Sequence, residues 1–228
     1  MSIWIIFLFY FILIIFIYSK YCDIMTLKEE KERIRKEIYD ALFNNGFSRR
    51  PKGDYGKIPD FKGSDIAAEL LSKSYEWKRA KTIFSSPDSA QIPVRYLALK
   101  ENKNLIMASP NLSHGYLFLE ASKITNKKEA ATKEGAFIHN SKRDISNMKV
   151  DLVVEGSVGV DREGHRIGKG KGFADREIED LLKRNIINND TAIATTIHPF
   201  QLVDHVPTES HDQKVNLIVT TDEIIRVD

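Results

Sequence analysis

Over residues 26–44 the apolar positions Leu27, Ile34, Ile38 and Leu42 recur at helical spacing within an otherwise charged stretch, which predicts an amphipathic helix. Thr26 stands where a cap is needed and Glu29 follows three residues on, as in a capping box. Asn44-Asn45-Gly46 stops the run. Residues 48–62 are rich in Pro, Gly and charge, so a loop is expected. Ser64 or Asp65 then caps a second helix, carried through Ala67, Leu70, Leu71 and Tyr75.

From Lys81 onward short β-type runs alternate with helical ones. Strands are expected at 82–85, 105–108, 191–197 and 215–220, with a weaker one at 116–120. The run VDLVVEGSVGV at 150–160 is the most strand-like, and its early part is apolar enough to be buried on both faces. Helices are expected at 92–100 and 174–183, and a polar loop with a short helix at 122–147. Strands separated by helices imply an α/β fold, a largely parallel sheet flanked by helices on both sides. At 228 residues the chain suits one such domain, over 25–228, plus an extra segment.

That segment is residues 1–24. Ile3 to Tyr18 reads IWIIFLFYFILIIFIY, apolar or aromatic throughout and uncharged. Sixteen helical residues reach roughly 24 Å, short of a hydrocarbon core of about 30 Å. No basic region precedes the run and no small-residue cleavage site follows it, which argues against a cleaved signal peptide. Lys20 and the basic stretch after Lys28 would keep the domain cytoplasmic if the run anchors it. The competing reading is a start codon placed too far upstream, since Met25 opens a natural soluble N terminus. Contact with a membrane would therefore run only through residues 3–18.

The composition removes several classes. Thirty-four basic and thirty-two acidic residues leave a formal charge of +2, so no DNA-binding surface is expected. RNA stays a weaker candidate partner, because no RNP-like run of aromatic and basic residues occurs. Cys22 is the single cysteine, so neither an intrachain disulfide nor a Cys-based zinc cluster can form. The six histidines lack HExxH spacing, and the G-x-S-x-G elbow and a GxGxxG at the first strand–helix turn are both missing.

The chemical signal lies at Gly164-His165-Arg166-Ile167-Gly168-Lys169-Gly170-Lys171-Gly172-Phe173-Ala174-Asp175, between the best strand and a helix. Closely spaced glycines let backbone N–H groups approach an anion, and the helix adds its positive end. Arg166, Lys169 and Lys171 supply charge. A tight turn with solvated lysines is the bland alternative. The arrangement is not a Walker A loop.

The pattern G-x-R-I-G-x-G-x-G-F-x-D resembles G-x-R-(L/F)-G-x-G-x-G-Y-Y-D, the signature of the 5-formyltetrahydrofolate cyclo-ligase (methenyltetrahydrofolate synthetase) family. VDLVV before it and Gln201, Pro207, Glu209, Asp212 and VNLIVTTDEII after it extend the likeness from about Met25 to the C terminus. The forms GxRIGKGxGFAD, IHPFQLVD and ASPNLSHG are similar to a divergent branch, the methenyltetrahydrofolate-synthetase-domain-containing proteins. The resemblance implies a fold related to the sugar-isomerase and CoA-transferase group. It implies conversion of 5-formyltetrahydrofolate, or a related reduced pterin, to the 5,10-methenyl form with ATP as co-substrate and Mg2+ as cofactor.

By the same resemblance Arg166, Ile167, Gly168, Lys169, Gly170, Lys171, Gly172, Phe173 and Ala174 surround the ATP phosphates. Phe173 also faces the folate, and Asp175 and Asp212 are the magnesium carboxylates. Lys31 and Arg35 match a family pair on the first helix that reaches the nucleotide, and their i,i+4 spacing puts both on one face. Without the resemblance, Asp175 reads as a carboxylate complementing a helix N terminus, Asp212 as a solvated loop residue, and Lys31 and Arg35 as a solvated face. Two departures stand out. Ala174 replaces a tyrosine, and the acidic residue the family sets on the folate has no clear counterpart near Ser85–Arg95, where Asp88 is the nearest carboxylate. A non-catalytic nucleotide- or RNA-binding module of the same fold is the alternative function.

Overall fold

The computed structural model describes residues 26–109 and 112–227. The apolar run at 3–18 lies outside them. Among the described residues no helix is long and apolar enough to cross a membrane.

Helix α1 occupies residues 26–44, as its periodicity requires. Thr26 is already helical, so the cap position lies outside the described residues. Ile34, Ile38 and Leu42 are buried against Phe61, Ala67, Val158 and Ile167. The second predicted helix is in fact two, α2 (Ser64–Ser72) and α3 (Tyr75–Arg79). Ser74 separates them because it turns extended and its side chain accepts from the Trp77 N–H, which starts a new helix. Gly63, at φ 96°, caps α2 in place of Ser64 or Asp65.

Strand β1 (Thr82–Ser85) leads through α4 (Ile92–Lys100) to β2 (Asn104–Ala108) and β3 (Tyr116–Leu119). The stretch expected to be a polar loop with one short helix holds two, α5 (Lys127–Ala130) and α6 (Lys133–Ile138), capped by Asn126 and Thr132. The chain continues through β4 (Leu152–Glu155), β5 (Gly159–Asp161), β6 (Arg166–Ile167) and α7 (Phe173–Lys183). It ends with β7 (Ala192–Thr196), β8 (Leu202–Val203), β9 (Leu217–Val219) and β10 (Ile224–Arg226).

Seven strands form one sheet in the order β10-β9-β7-β4-β1-β2-β3. The five central strands are parallel, and the edge strands β3 and β10 pair antiparallel. Alternation along the strands feeds two layers. Ile83, Leu152 and Val154 pack with Leu71, Trp77, Val94 and Ala98 from α2, α3 and α4. Phe84 and Val153 face the other way, toward Ile178 and Leu181 of α7. Burying each such side chain contributes roughly 1.5–3 kcal/mol, and both faces of the sheet are thereby covered, as the continuous apolar runs require.

The run at 150–160 does not form one strand. It breaks after Glu155 and enters a second sheet, ordered β6-β5-β8. The crossing point is tight, since a Cβ on Gly156 would stand 3.0 Å from both Asp88 Oδ2 and Ile58. It is also pinned by hydrogen bonds: Ser157 Oγ lies 2.9 Å from Thr195 Oγ1, and Gln201 Nε2 donates to the Ser157 and Val158 carbonyls. Apolar pattern alone carries no record of such a change of partner sheet.

Between β5 and β6 the chain reverses at Gly164, φ 84°. A Cβ there would lie 2.1 Å from the Val215 carbonyl oxygen, and the Val215 N–H donates to the Gly164 carbonyl. Gly164→Ala is expected to lose roughly 2–4 kcal/mol, a fall in melting temperature of about 5–15 °C. A thermal melt checks this, and a shift below about 2 °C would contradict the close approach.

Candidate functional site

The parallel strands β1 and β4 end on the side where open α/β sheets take their ligands. Ser86 and Asp88 follow β1, Glu155 closes β4, and the glycine loop returns over them into α7. Together with one face of α1 and the segment 209–212 they enclose a cleft of about 1180 Å³.

The loop has the local geometry that its glycines predict. Gly170 has φ 85°, and Gly172, at φ 57°, is the N-cap of α7. Both conformations suit glycine, and a left-handed glycine before a helix leaves the first-turn N–H groups facing outward for an anion. Lys169 is half-buried and Lys171 exposed, and both line the cleft. Ile167 borders the cleft, but its side chain is buried against α1, so it anchors the loop.

Lys31 and Arg35 reach the cleft from one face of α1. Arg35 Nε donates to the Gly168 carbonyl at 2.8 Å, and its guanidinium lies 3.7 Å from where a Cβ on Gly170 would be. That is ordinary contact distance, so the demand for glycine at 170 comes from its left-handed φ and not from the arginine. Lys31 Nζ lies 2.7 Å from Asp212 Oδ2 and 3.0 Å from Glu209 Oε2. Burial raises the Asp212 pKa, but the Lys31 hydrogen bond and the Glu209 N–H outweigh it and hold the carboxyl below its ordinary value.

Arg166 sits deep, with 2% of its side chain exposed. Its Nη2 lies 2.6 Å from Asp175 Oδ1, which also accepts from the Gln213 N–H at 3.1 Å. The last contact brings the residue after Asp212 onto Asp175, so the two aspartates share one rim. Hard carboxylate oxygens are the donor type magnesium selects, with phosphate oxygens and water completing six positions. By donor type both aspartates fit that ion, and among the described residues the group whose ligand atoms already lie within 4.8 Å of one another is Glu209, His211 and Asp212. Phe173 lines the same cleft, with the Arg176 guanidinium 4.9 Å and the Lys169 ammonium 5.9 Å from its ring centre. Ala174 lines the cleft beside it.

The sequence reading missed two carboxyl groups. Glu155, on the floor, and Glu177, one turn into α7, are 1% and 4% exposed. Burial, and then the charge of Glu177, pushes the Glu155 carboxyl well above the usual range. Burial, followed by the charge of Asp88, pushes Glu177 up to about 8. The signal for Glu155 was present, since it is the one ionisable residue closing an otherwise apolar strand. Glu177 carried none, because helix 174–183 is charged on its outer face and nothing marks this glutamate as the buried one. Arg95, fully buried under the cleft, has its pKa drawn down to about 10 by burial and donates to the carbonyls of Ala131, Ser86 and Asp88.

Comparison with known proteins gives a consistent picture. A family model described as the 5-formyltetrahydrofolate cyclo-ligase family matches residues 27–221. A Bos taurus protein named methenyltetrahydrofolate synthase domain-containing protein is 34% identical over 207 residues, 86% of this chain and 53% of that one. The chain spans about half the length of the curated relatives of that name. Among solved structures, the Aquifex aeolicus 5,10-methenyltetrahydrofolate synthetase has a TM-score of 0.57 at 20% identity, covering 86% of this chain and 92% of that one. The Mycoplasma pneumoniae 5,10-methenyltetrahydrofolate synthetase has a TM-score of 0.52 at 15% identity, covering 84% and 99%. At these identities the two structures speak for the α/β fold.

Proposed function

The chain belongs to the 5-formyltetrahydrofolate cyclo-ligase family, and from this we propose that its cleft converts 5-formyltetrahydrofolate, or a related formyl-pterin, to the 5,10-methenyl form using ATP and magnesium. The observation that carries the proposal is convergence. Lys31, Arg35, Arg166, Lys169, Asp175 and Asp212 come from α1, the glycine loop, α7 and the C-terminal segment, and all line one cleft.

In the proposed reaction the formyl oxygen bonds to the γ-phosphorus of ATP as the bond to ADP breaks. N10 then closes on the formyl carbon, and inorganic phosphate leaves. Phosphoryl transfer of this kind needs in-line positioning and charge neutralisation more than covalent help. The glycine-loop amides and the α7 N terminus hold the phosphates, while Arg166 and Lys169 offset the charge that spreads over the transferred group. Lys31 and Arg35 fix the outer wall, Arg35 by holding the Gly168 carbonyl. Asp175 and Asp212 would hold magnesium, which supplies charge neutralisation at the phosphate oxygens. Phe173 offers a ring face to the substrate at the mouth.

The test is direct. Incubation of the purified chain with ATP, magnesium and 5-formyltetrahydrofolate should generate the absorbance of the methenyl product together with ADP and phosphate. ATP binding with neither product nor turnover, across several formyl-pterins, would favour the nucleotide-binding alternative, which the loss of aromatic surface at Ala174 makes specific. Asp175→Asn should lower turnover by on the order of 10²-fold and raise the magnesium concentration needed for half-activity. An unchanged magnesium dependence would remove Asp175 from that role.

A further inference from the structure

We propose that Glu155 recognises the heterocycle of the substrate through a pair of adjacent N–H donors, such as the ring N–H and exocyclic amine of a 2-amino-4-oxo pterin. The inference rests on the cyclo-ligase reading and adds a substrate-side residue that the sequence did not supply.

Three of the other cleft carboxylates already have a cation. Asp88 is 3.3 Å from Lys169, Asp175 is 2.6 Å from Arg166, and Asp212 is 2.7 Å from Lys31. Glu155 is different. It is 1% exposed, it lines the cleft, and among the described residues its Oε1 has no hydrogen-bond partner. A buried polar atom left this way costs about 1–3 kcal/mol, so a group retained there calls for a binding role. Neighbouring atoms repeat the pattern: Gln91 Oε1, Ser86 Oγ and Arg166 Nε are also buried without partners beside the cleft. A Cβ on Gly156, the residue after Glu155, would stand 3.2 Å from Gln91 Oε1 and 3.0 Å from Asp88 Oδ2, so these two acceptors lie close together beside the end of β4.

Acceptors in such a cluster select a ligand edge rich in donors. A carboxylate accepts two parallel N–H bonds, and a pterin presents an adjacent N–H and NH2 that match it. Adenine offers a single amine beside an acceptor nitrogen on its corresponding edge, so it satisfies only one oxygen of the ionised carboxylate and needs the protonated form to match both. A metal is a poorer fit, because Glu209, His211 and Asp212 form the one group of three possible ligands close enough to share an ion among the described residues. Charges facing Glu155 are Glu177, Arg166, Asp88 and Asp175, and those facing Glu177 are Asp88, Arg166, Lys169 and Arg176. Burial disfavours the charged form of the Glu155 carboxyl. Accepting two N–H bonds favours its ionised form, so substrate binding should release a proton.

Calorimetric titration of the full chain tests this, with 5-formyltetrahydrofolate and MgATP as separate probes. Glu155→Gln should weaken folate binding at least roughly tenfold and leave ATP affinity within about twofold. Titrations in buffers of different ionisation enthalpy should show proton release on folate binding that is lost in the variant. A second measurement avoids mutation: an analogue lacking the 2-amino group should bind the unaltered chain at least about tenfold more weakly, and Glu155→Gln should barely distinguish the two ligands. Equal folate affinity in Glu155→Gln, no discrimination between analogues, or a changed magnesium dependence with folate affinity intact would each overturn the inference while leaving the cyclo-ligase reading standing. No folate binding by the unaltered chain would overturn both.

Discussion

Replacing Arg166 by alanine should lower kcat/KM for ATP-dependent turnover by on the order of 10³-fold, the largest loss expected of any single change in the cleft. Its guanidinium is almost fully buried at the site, ion-paired with Asp175 and facing both Glu155 and Glu177. Without it, the polyphosphate keeps only the more exposed cations Lys31, Arg35, Lys169 and Lys171 and the loop amides. Asp175 would also lose the contact that orients it. Arg166→Lys should recover only part of the loss, because an ammonium keeps the charge and lacks the planar fork. Steady-state kinetics and nucleotide titration measure the effect, and a thermal melt separates it from unfolding. A kcat/KM within about threefold of the unaltered protein would remove Arg166 from the phosphate site.

Stability should fall as pH rises from about 5 to about 9, by several kcal/mol. Glu177 titrates near 4.5 when exposed and at about 8 when folded, and Glu155 is raised as well. Between the unfolded and folded values the native chain binds more protons than the unfolded one, so each step up in pH favours unfolding. Below the unfolded value this cost is absent; above the folded value it is complete. Asp212 works in the opposite sense. Its lowered pKa contributes stability above its unfolded value near 3.8 that is lost on acidification through the folded one. The optimum should therefore lie on the mildly acidic side. Glu177→Gln should flatten the alkaline limb and raise the melting temperature near pH 8.5 by roughly 5–10 °C. Melts across the range test this, and a level profile, or one as steep in a Glu155→Gln, Glu177→Gln double variant, would exclude the pair as its source.

Much of the framework was legible from local pattern. Helix 26–44, the strands near 82, 105 and 192 and the helix at 92–100 all follow from periodicity and caps, because each answers to forces within a few residues. The glycine loop was legible for the same reason, since left-handed positions and a helix start are local properties. What escaped depended on distant neighbours. The break after Glu155 is set by Asp88, Ile58, Thr195 and Gln201, and none of these lies near it in sequence. Strand β10 is three residues long with a single partner strand, too short for an alternation to show. The buried state of Glu177 belongs to the same class, since an amphipathic helix places a glutamate inside only when another element supplies the reason.

Lys31 clasps Glu209 and Asp212 across 178 and 181 positions of chain. A chain emerging from the ribosome thus has its glycine loop and α7 available well before the residues that close the outer wall. Long-range closure of this kind is slow and late in folding. Ligand affinity should accordingly arise as one of the last events of synthesis, and truncation before Glu209 should yield a chain that keeps most of its sheet but has an open-sided cleft.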